Sequence, residues 1–329
     1  MDYNFVIIGT NYDFDYLTYR DVLNISNVQY IKELLPKNRI LRFLKRLHYS
    51  KRVNRYLEVP FKSIWNNLYY VPNFGNNNTI VFIYFFNHLK EVDNGLLFYF
   101  KRKYINSKHV LWFVDLISTQ PNADIKKRKQ QFDLIISYDP LEAKKYDLLY
   151  HPTVYNELPN VRANNINTGV FFIGQLKNRH ELIYSSYLYL KSHGIVCNFV
   201  IIDINYTTPS YFYNKDGINV VHHFVPYEES LKMMNSYSCI LEIIQEGSSG
   251  YTYRTWEAVM YNKILISNNH NLKNAPFYST DKIIIINTPN DIKIDTILNK
   301  RCEYDEIFKE QMSSRHFINF IEENLKKKK

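Results

Sequence analysis

Short apolar runs alternate along the chain with longer mixed stretches, a pattern that predicts buried parallel strands connected by helices. In the N-terminal half, the runs predict strands at Phe5–Ile8, Ile80–Phe85, Val110–Val114, Leu134–Ser137 and Leu148–Tyr150. In the C-terminal half, they predict strands at Gly169–Gly174, Cys197–Ile202, Val220–Phe224, Cys239–Ile244, Ile264–Ser267 and Ile283–Ile286. The predicted fold is α/β, with two doubly wound Rossmann-type domains that face a central cleft.

Two prolines and a polar stretch mark the predicted boundary between these domains. Pro152 and Pro159 lie close together, and residues 156–168 have almost no apolar periodicity. We predict a first domain over 1–155, a linker over 156–168 and a second domain over 169–312. A C-terminal helix with a basic tail, residues 313–329, is expected to pack back on the first domain. The length of 329 residues fits two domains.

The amino-acid composition favours anionic binding partners and a reducing cellular compartment. Lys and Arg total 41 against 32 Asp and Glu, a net charge of +9 that favours nucleotides, phosphorylated lipids, a membrane surface or nucleic acid as partners. The three cysteines lack the spacing of a zinc site or a disulfide framework, which favours a reducing cytoplasm. No apolar run approaches the roughly 18–20 residues of a membrane span, and the N-terminus has the pattern of a strand instead of a secretory signal.

The most informative segment is a strand, a loop of small residues and a helix. The loop Gln245–Thr252 follows the strand predicted at Cys239–Ile244, and the helix continues to about Tyr261. Backbone N–H groups in such a turn, together with a helix N-terminus, form an anion site suited to phosphates. Arg254 lies in the first turn, and Glu257 lies where a carboxylate could accept two ribose hydroxyls.

A purely structural interpretation of the same segment is also open. Gly247 and Gly250 would then be ordinary turn residues, Ser249 or Thr252 would cap the helix, and Glu257 would be a solvated surface residue.

The segment, followed by Lys263–Asn268, resembles the donor-binding unit of GT-B glycosyltransferases, specifically bacterial enzymes of lipopolysaccharide, capsule and other surface-glycan assembly. Residues 110–115, 132–146 and 170–179 resemble other parts of these enzymes. The resemblance implies that the loop meets the donor phosphates, that Glu257 holds the ribose and that Tyr227 lines the base pocket. The donor-binding residues it implies are Gly174, Lys177, Arg179, Tyr227, Glu246, Ser248, Ser249, Gly250, Tyr251, Arg254 and Glu257.

One departure from the family pattern affects the stereochemistry. Many retaining GT-B enzymes carry two glutamates eight positions apart, and eight positions before Glu257 this chain has Ser249. Neither retention nor inversion is therefore predicted. The resemblance implies that cationic side chains, here Lys177, Arg179 and Arg254, stabilise the leaving group in place of a metal, so we expect no cofactor and no metal.

An inverting transfer also needs a base to deprotonate the acceptor hydroxyl, and such a base would lie behind a strand of the first domain. Asp13 and Asp15 follow the first predicted strand, His88 the second and Asp115 the third. Asp13-Phe14-Asp15 also spells the metal-binding DxD of the other glycosyltransferase fold, but it comes too early in the chain for that architecture. His222 and His223 lack metal-ligand spacing and are predicted to be structural.

The segment Lys37–Arg55 contains eight Lys and Arg residues and no acid. On a helix, Ile40, Leu44 and Leu47 share a face with Phe43 nearby, giving an amphipathic basic element suited to anionic lipid headgroups. An ordinary domain helix with a solvated basic side would explain the segment equally well.

These observations predict a glycosyltransferase that moves a sugar from a nucleotide-sugar donor to a hydroxyl of a surface-glycan acceptor, in the cytoplasm or at the inner face of the membrane. A nucleotide-sugar epimerase of the same fold is one alternative. A basic nucleic-acid-binding protein that uses Lys37–Arg55 and the abundant tyrosines is another.

Overall fold

A computed structural model describes residues 3–9, 18–32, 34, 36–56, 59–71, 73–75, 77–120, 123–158, 161, 166–298 and 302–328. Its contacts divide the chain into two compact units. The first unit comprises residues 1–151 and 314–329, and the second comprises residues 152–313. Among the described residues, no helix combines the length and the apolar character that crossing a bilayer requires.

The first unit contains one parallel sheet of six strands in the order β2-β1-β3-β4-β5-β6. The strands are β1 Tyr3–Ile8, β2 Val28–Ile31, β3 Thr79–Phe85, β4 Lys108–Phe113, β5 Leu134–Ser137 and β6 Leu149–Tyr150. Its helices are α1 Arg39–Tyr49, α2 Lys51–Tyr56, α3 Leu89–Asp93, α4 Leu96–Lys103, α5 Ile125–Gln131 and α6 Pro140–Tyr146. The strand order changes direction between β1 and β3, which makes the carboxyl ends of these two strands a switch point.

Burial on both faces explains why most of these strands were predictable from apolar runs. All six residues of β1 are buried, and Phe82 of β3 stacks on Phe100 of α4 with ring centroids 4.4 Å apart. The edge strand β2 was not predicted. Among the described strands it pairs with β1 alone, and its central residues, Gln29 and Tyr30, are half-buried, so it lacks a continuous apolar run.

The C-terminal helix α12, Ser314–Lys327, belongs to the first unit, as predicted. Phe317 packs on Trp112 of β4 with ring centroids 4.1 Å apart, and both side chains are buried. His316 Nδ1 lies 3.3 Å from Nε2 of His151, whose ring also contacts Phe317 and Phe320. The helix therefore completes the core of the first unit.

The second unit contains another parallel sheet of six strands, in the order β12-β11-β10-β7-β8-β9. The strands are β7 Asn167–Gly174, β8 Val196–Ile202, β9 Ile218–Val221, β10 Tyr237–Glu242, β11 Ile264–Ser267 and β12 Ile283–Ile285. Its helices are α7 His180–Ser192, α8 Tyr227–Asn235, α9 Tyr253–Met260, α10 Ile294–Leu298 and α11 Glu306–Gln311. From the β9 edge, the order is that of a doubly wound Rossmann sheet, with the switch point between β7 and β10.

The second unit begins in sequence a few residues before the predicted boundary. Thr153 lies within it because its Oγ1 donates to the carbonyl of Tyr251 at 3.0 Å and accepts from Nε1 of Trp256 at 2.6 Å. Leu158 is also attached to this unit, since its N–H donates to the hydroxyl of Tyr261.

Candidate functional site

Arg179 joins the two strand ends at the switch point of the second unit. Its Nη2 donates to the carbonyl of Gln175, just behind β7, at 2.5 Å, and its Nη1 donates to the carbonyl of Ile243, just behind β10. Burial lowers the pKa of Arg179, and the nearby carboxylate of Glu242 opposes this effect. Because its donors are engaged by backbone oxygens, Arg179 braces the crevice that these strand ends form.

Glu242, the last residue of β10, is a buried carboxylate that the sequence analysis missed. Its Oε1 accepts from Thr255 Oγ1 at 2.8 Å and also from Thr252 Oγ1, while its Oε2 accepts from Ser267 Oγ at 2.5 Å. Three hydroxyls thus satisfy one negative charge and connect β10 to α9 and β11. A sequence pattern could have identified Glu242: it is an acid at the end of an apolar run, and hydroxyl residues occur at the start of the next helix and at the end of the next strand.

The loop predicted to bind phosphates connects β10 to α9. Gly247 has a φ of +80°, a conformation that favours glycine, and Thr252 caps α9 by accepting the N–H of Arg254 at 3.1 Å. Three asparagines that follow β11 form hydrogen bonds with the backbone of this loop and of the residue before it. Asn268 Oδ1 accepts from the N–H of Ile244, Asn269 Nδ2 donates to Gly250 O, and Asn271 Nδ2 donates to Ser249 O.

The predicted ribose-binding residue, Glu257, is completely buried, which excludes the interpretation as solvated surface. Its Oε1 accepts from the hydroxyl of Tyr227 at 2.8 Å, and its Oε2 accepts from Nη1 of Arg254. The hydroxyl oxygen of Tyr227 also lies 2.9 Å from that of Tyr155. Burial raises the pKa of Glu257 and the Arg254 charge opposes that rise. A sugar hydroxyl could therefore reach this carboxylate only if Arg254 or Tyr227 moved.

A cavity of about 340 Å³ lies beside the crevice, at the carboxyl ends of β7 and β8. Lys177 lines it, is exposed and has a φ of +50°. Asp203 lines it as well, with its carboxylate occupied by the N–H groups of Thr207 and Thr208 at 2.8 and 3.0 Å. The volume lies within the range of small-molecule sites.

The structure thus brings most of the predicted donor residues to one edge of the second sheet. The loop residues Glu246, Ser248, Ser249, Gly250 and Tyr251 follow β10, while Gly174 ends β7. Glu246 is exposed, whereas Ser249 and Tyr251 are buried. His222, predicted to be structural, stacks on Tyr206 and its Nδ1 lies 2.9 Å from Asp203 O.

Two of the base candidates, His88 and Asp115, lie behind strands of the first unit. His88 follows β3. Burial lowers its pKa to about 4, and hydrogen bonds with the backbone of Gly9 and Phe85 oppose that effect only in part. Asp115 follows β4, is half-buried and accepts the N–H of Leu116 at 2.9 Å. Asp13 and Asp15 lie outside the described residues.

Glu142 is a second buried acid that the sequence analysis missed. Its carboxylate accepts the N–H groups of Ile117 and Ser118, at 2.6 and 2.9 Å, and so fixes the loop behind β4. In the part of the chain that the structure describes, no group of three or more His, Cys, Asp or Glu side chains is arranged to hold a metal ion.

Comparison with known proteins supports the fold. No protein-family model matches the sequence, and no curated protein matches it either. Among solved structures, an alpha-glucosyltransferase in complex with UDP and a 13-mer DNA aligns with 95% of this chain and 91% of its own, at 13% identity and a TM-score of 0.54. TarM aligns with 67% of this chain and 47% of its own at 11% identity, with a TM-score of 0.47.

A DNA-modifying beta-glucosyltransferase aligns with 94% of this chain and 92% of its own, at 13% identity and a TM-score of 0.46. Because the TM-scores for TarM and for this enzyme are below 0.5, neither match is used to support the fold. The match above that value and the two parallel six-stranded sheets define a GT-B-like α/β fold with two Rossmann-type domains.

Proposed function

We propose that the protein is a glycosyltransferase that moves a sugar from a nucleotide-sugar donor to a hydroxyl of an acceptor. The observation that carries the proposal is the Arg254–Glu257 pair at the start of α9, directly behind a strand-to-helix loop at the switch point of the second sheet. Phosphates are favoured at such a helix start, and ligands of open α/β sheets bind at such a switch point.

Donor binding would exchange the partners of the Arg254–Glu257 pair. Both carboxylate oxygens of Glu257 are engaged, one of them by Arg254. A diphosphate at the loop would attract the Arg254 guanidinium, and ribose hydroxyls would then take its place on the carboxylate. The exchange leaves neither buried charge without a partner, which keeps its cost low.

The remaining residues of the crevice have separable roles in this proposal. Lys177 is exposed beside the cavity and would add a second positive charge to the diphosphate. Arg179 would act as a positioning residue, because its guanidinium is held by the carbonyls of Gln175 and Ile243. Lys177 and Arg254 would stabilise the leaving group in place of a metal ion, within the crevice that Arg179 braces.

In the transfer itself, the acceptor oxygen forms a bond to C1 of the sugar while the bond from C1 to the phosphate oxygen breaks. The nucleoside diphosphate leaves with the electron pair, and in an inverting transfer the acceptor proton passes to a base. Asp13, Asp15, His88 and Asp115 remain the predicted candidates for that base. His88 would act as a neutral imidazole, since burial lowers its pKa to about 4.

For the acceptor, we propose a bacterial surface glycan of the lipopolysaccharide or capsule type. This proposal rests on the resemblance of the donor segment, and of residues 110–115 and 132–146, to the enzymes that assemble such glycans. We also propose a cytoplasmic location, supported by three free and buried cysteines. Incubation with a labelled nucleotide sugar and lipid-linked glycan or duplex DNA would separate a glycan acceptor from a nucleic-acid acceptor. Turnover without any acceptor would instead support the epimerase.

A thermal-shift screen against UDP, GDP, CMP, dTDP and ADP tests donor binding. A nucleotide at about 100 times its Kd stabilises a protein by about 2.7 kcal/mol. We expect one nucleotide to shift the Tm, and Glu257→Gln and Lys177→Ala each to weaken its binding at least tenfold.

Matched controls for this screen are Glu229→Gln and Lys215→Ala, which change exposed residues of the second unit. Because Lys177 is exposed, Lys177→Ala tests the site even if Glu257→Gln fails to fold. Equal shifts with all five nucleotides, or equal loss in the site variants and their controls, would contradict the proposal.

A further inference from the structure

Helix α1 exposes its apolar side. Ile40, Phe43, Leu44 and Leu47 are spaced i, i+3, i+4 and i+7, so they form one stripe along the helix. The exposed fractions of these four side chains run from 41% to 69%. An ordinary domain helix buries such a stripe, so the structure excludes that interpretation of the segment.

The polar side of α1 attaches the helix to the first unit. Arg42 donates from Nε and Nη2 to the carbonyl of Pro36, at 3.2 and 3.1 Å, and Lys45 is buried. His48 Nδ1 accepts from Nε1 of Trp65 at 2.8 Å. The contacts of the polar side hold the helix in place and direct the apolar stripe outward.

Positive charges lie along one side of the stripe and on the next helix. Arg39 and Arg46 lie along one border of it and are exposed, and Arg52 and Arg55 of α2 are exposed as well. No acidic residue occurs between Lys37 and Arg55. Two further exposed apolar side chains, Phe61 and Ile64, belong to the segment that contacts α1 through Trp65.

We propose that this face of α1 docks on a membrane surface that contains anionic lipids. An interfacial helix places an apolar stripe at the boundary between headgroups and acyl chains, and flanking Lys and Arg side chains bind anionic headgroups. The exposed stripe of α1 and its acid-free basic border supply both requirements.

Two other occupants fit less well. A nucleic-acid backbone would pair with the basic side chains but would leave Phe43 and Leu47 in water. A second copy of the chain, joined through this face with the two α1 helices antiparallel, would bring the Arg39 and Arg46 borders of the two copies together. The membrane inference does not depend on the proposed glycosyltransferase activity.

Vesicle co-sedimentation of the full chain tests the inference. The probes are phosphatidylcholine vesicles with and without 30 mol% phosphatidylglycerol. We expect at least tenfold tighter binding to the anionic vesicles, weakened by added salt. Phe43→Ser/Leu47→Ser and Arg39→Glu/Arg46→Glu should each reduce that binding at least tenfold. The matched control is Ile105→Ser/Leu141→Ser, which removes two exposed apolar side chains elsewhere in the first unit.

Three results would overturn the inference. One is equal binding of the wild type, the α1 variants and the control to anionic vesicles. Another is binding to a 20-base-pair duplex DNA without binding to either vesicle. The third is a change from dimer to monomer in Phe43→Ser/Leu47→Ser without vesicle binding by the wild type. Nucleotide thermal shifts are measured on the same variants. They test the proposed donor site independently, so a failure of membrane binding can be distinguished from a failure of the proposed activity.

Discussion

Replacing Arg254 with methionine should destabilise the second unit, by an amount that depends on pH. The side chain of Arg254 is 23% exposed and that of its partner Glu257 is 0% exposed, so the substitution leaves a carboxylate buried without its cation. Breaking a buried pair in this way costs about 3–5 kcal/mol. The Tyr227 hydroxyl still donates to Glu257 Oε1, which favours the lower end of that range.

The sign of the pH dependence follows from the pKa of Glu257. Burial raises this pKa above its ordinary value, and Arg254 limits the rise. Removing Arg254 therefore raises the folded-state pKa further, and stability is then lost as the pH rises from the unfolded pKa through the folded one. The destabilisation by Arg254→Met should be small at pH 4.5, where the carboxyl takes up a proton, and largest at pH 8.

Urea unfolding of wild type and Arg254→Met at pH 4.5, 6 and 8 measures this difference. The control is Lys232→Met, which breaks the pair of Lys232 with Glu228, where both side chains are more than half exposed. That exposed pair should contribute no more than about 0.5 kcal/mol at any of these pH values. A cost for Arg254→Met below about 1 kcal/mol at pH 8, or one that is equal at pH 4.5 and 8, would refute the reasoning.

Three further substitutions test the packing. Glu242→Gln should cost about 2 kcal/mol in urea unfolding, because an amide cannot accept all three hydroxyl donors, and wild-type stability would contradict the assigned bonds. Phe317→Ala should cost about 3–5 kcal/mol, and a thermal melt unchanged by the loss of this ring from Trp112 would contradict the docking of α12. Gly217→Ala places a Cβ 2.4 Å from a backbone oxygen, whereas Gly194→Ala meets nothing within 4 Å; both have positive φ, so calorimetry should show the larger loss of Tm for Gly217→Ala.

Strands covered on both faces were the predictable part of the fold. Leu134–Ser137 and Ile264–Ser267 were predicted with the bounds observed, since each is a buried apolar run between polar loops. The strand β2 could not be found in this way because half-buried polar positions interrupt it.

The sequence located the candidate site but left its internal contacts open. The loop and helix around Glu257 follow from local pattern, whereas the burial of that carboxylate depends on Tyr227, which lies thirty residues earlier. Glu242 was missed because its three hydroxyl partners come from two different elements. For Lys37–Arg55, periodicity gave the apolar face of the helix, but only tertiary contacts decide whether that face points inward or outward.

The position of α12 in the first unit has a consequence for the order of folding. That unit is built from residues 1–151 and 314–329, with all of the second unit between them in sequence. During synthesis, the first sheet leaves the ribosome early, yet the side of Trp112 that packs on Phe317 stays uncovered until Phe317 has been made. The continuous stretch 152–313 can meanwhile fold as a unit. The half of the protein that is translated first is therefore the half that is finished last, and it is the half in which a nascent chain needs protection from aggregation.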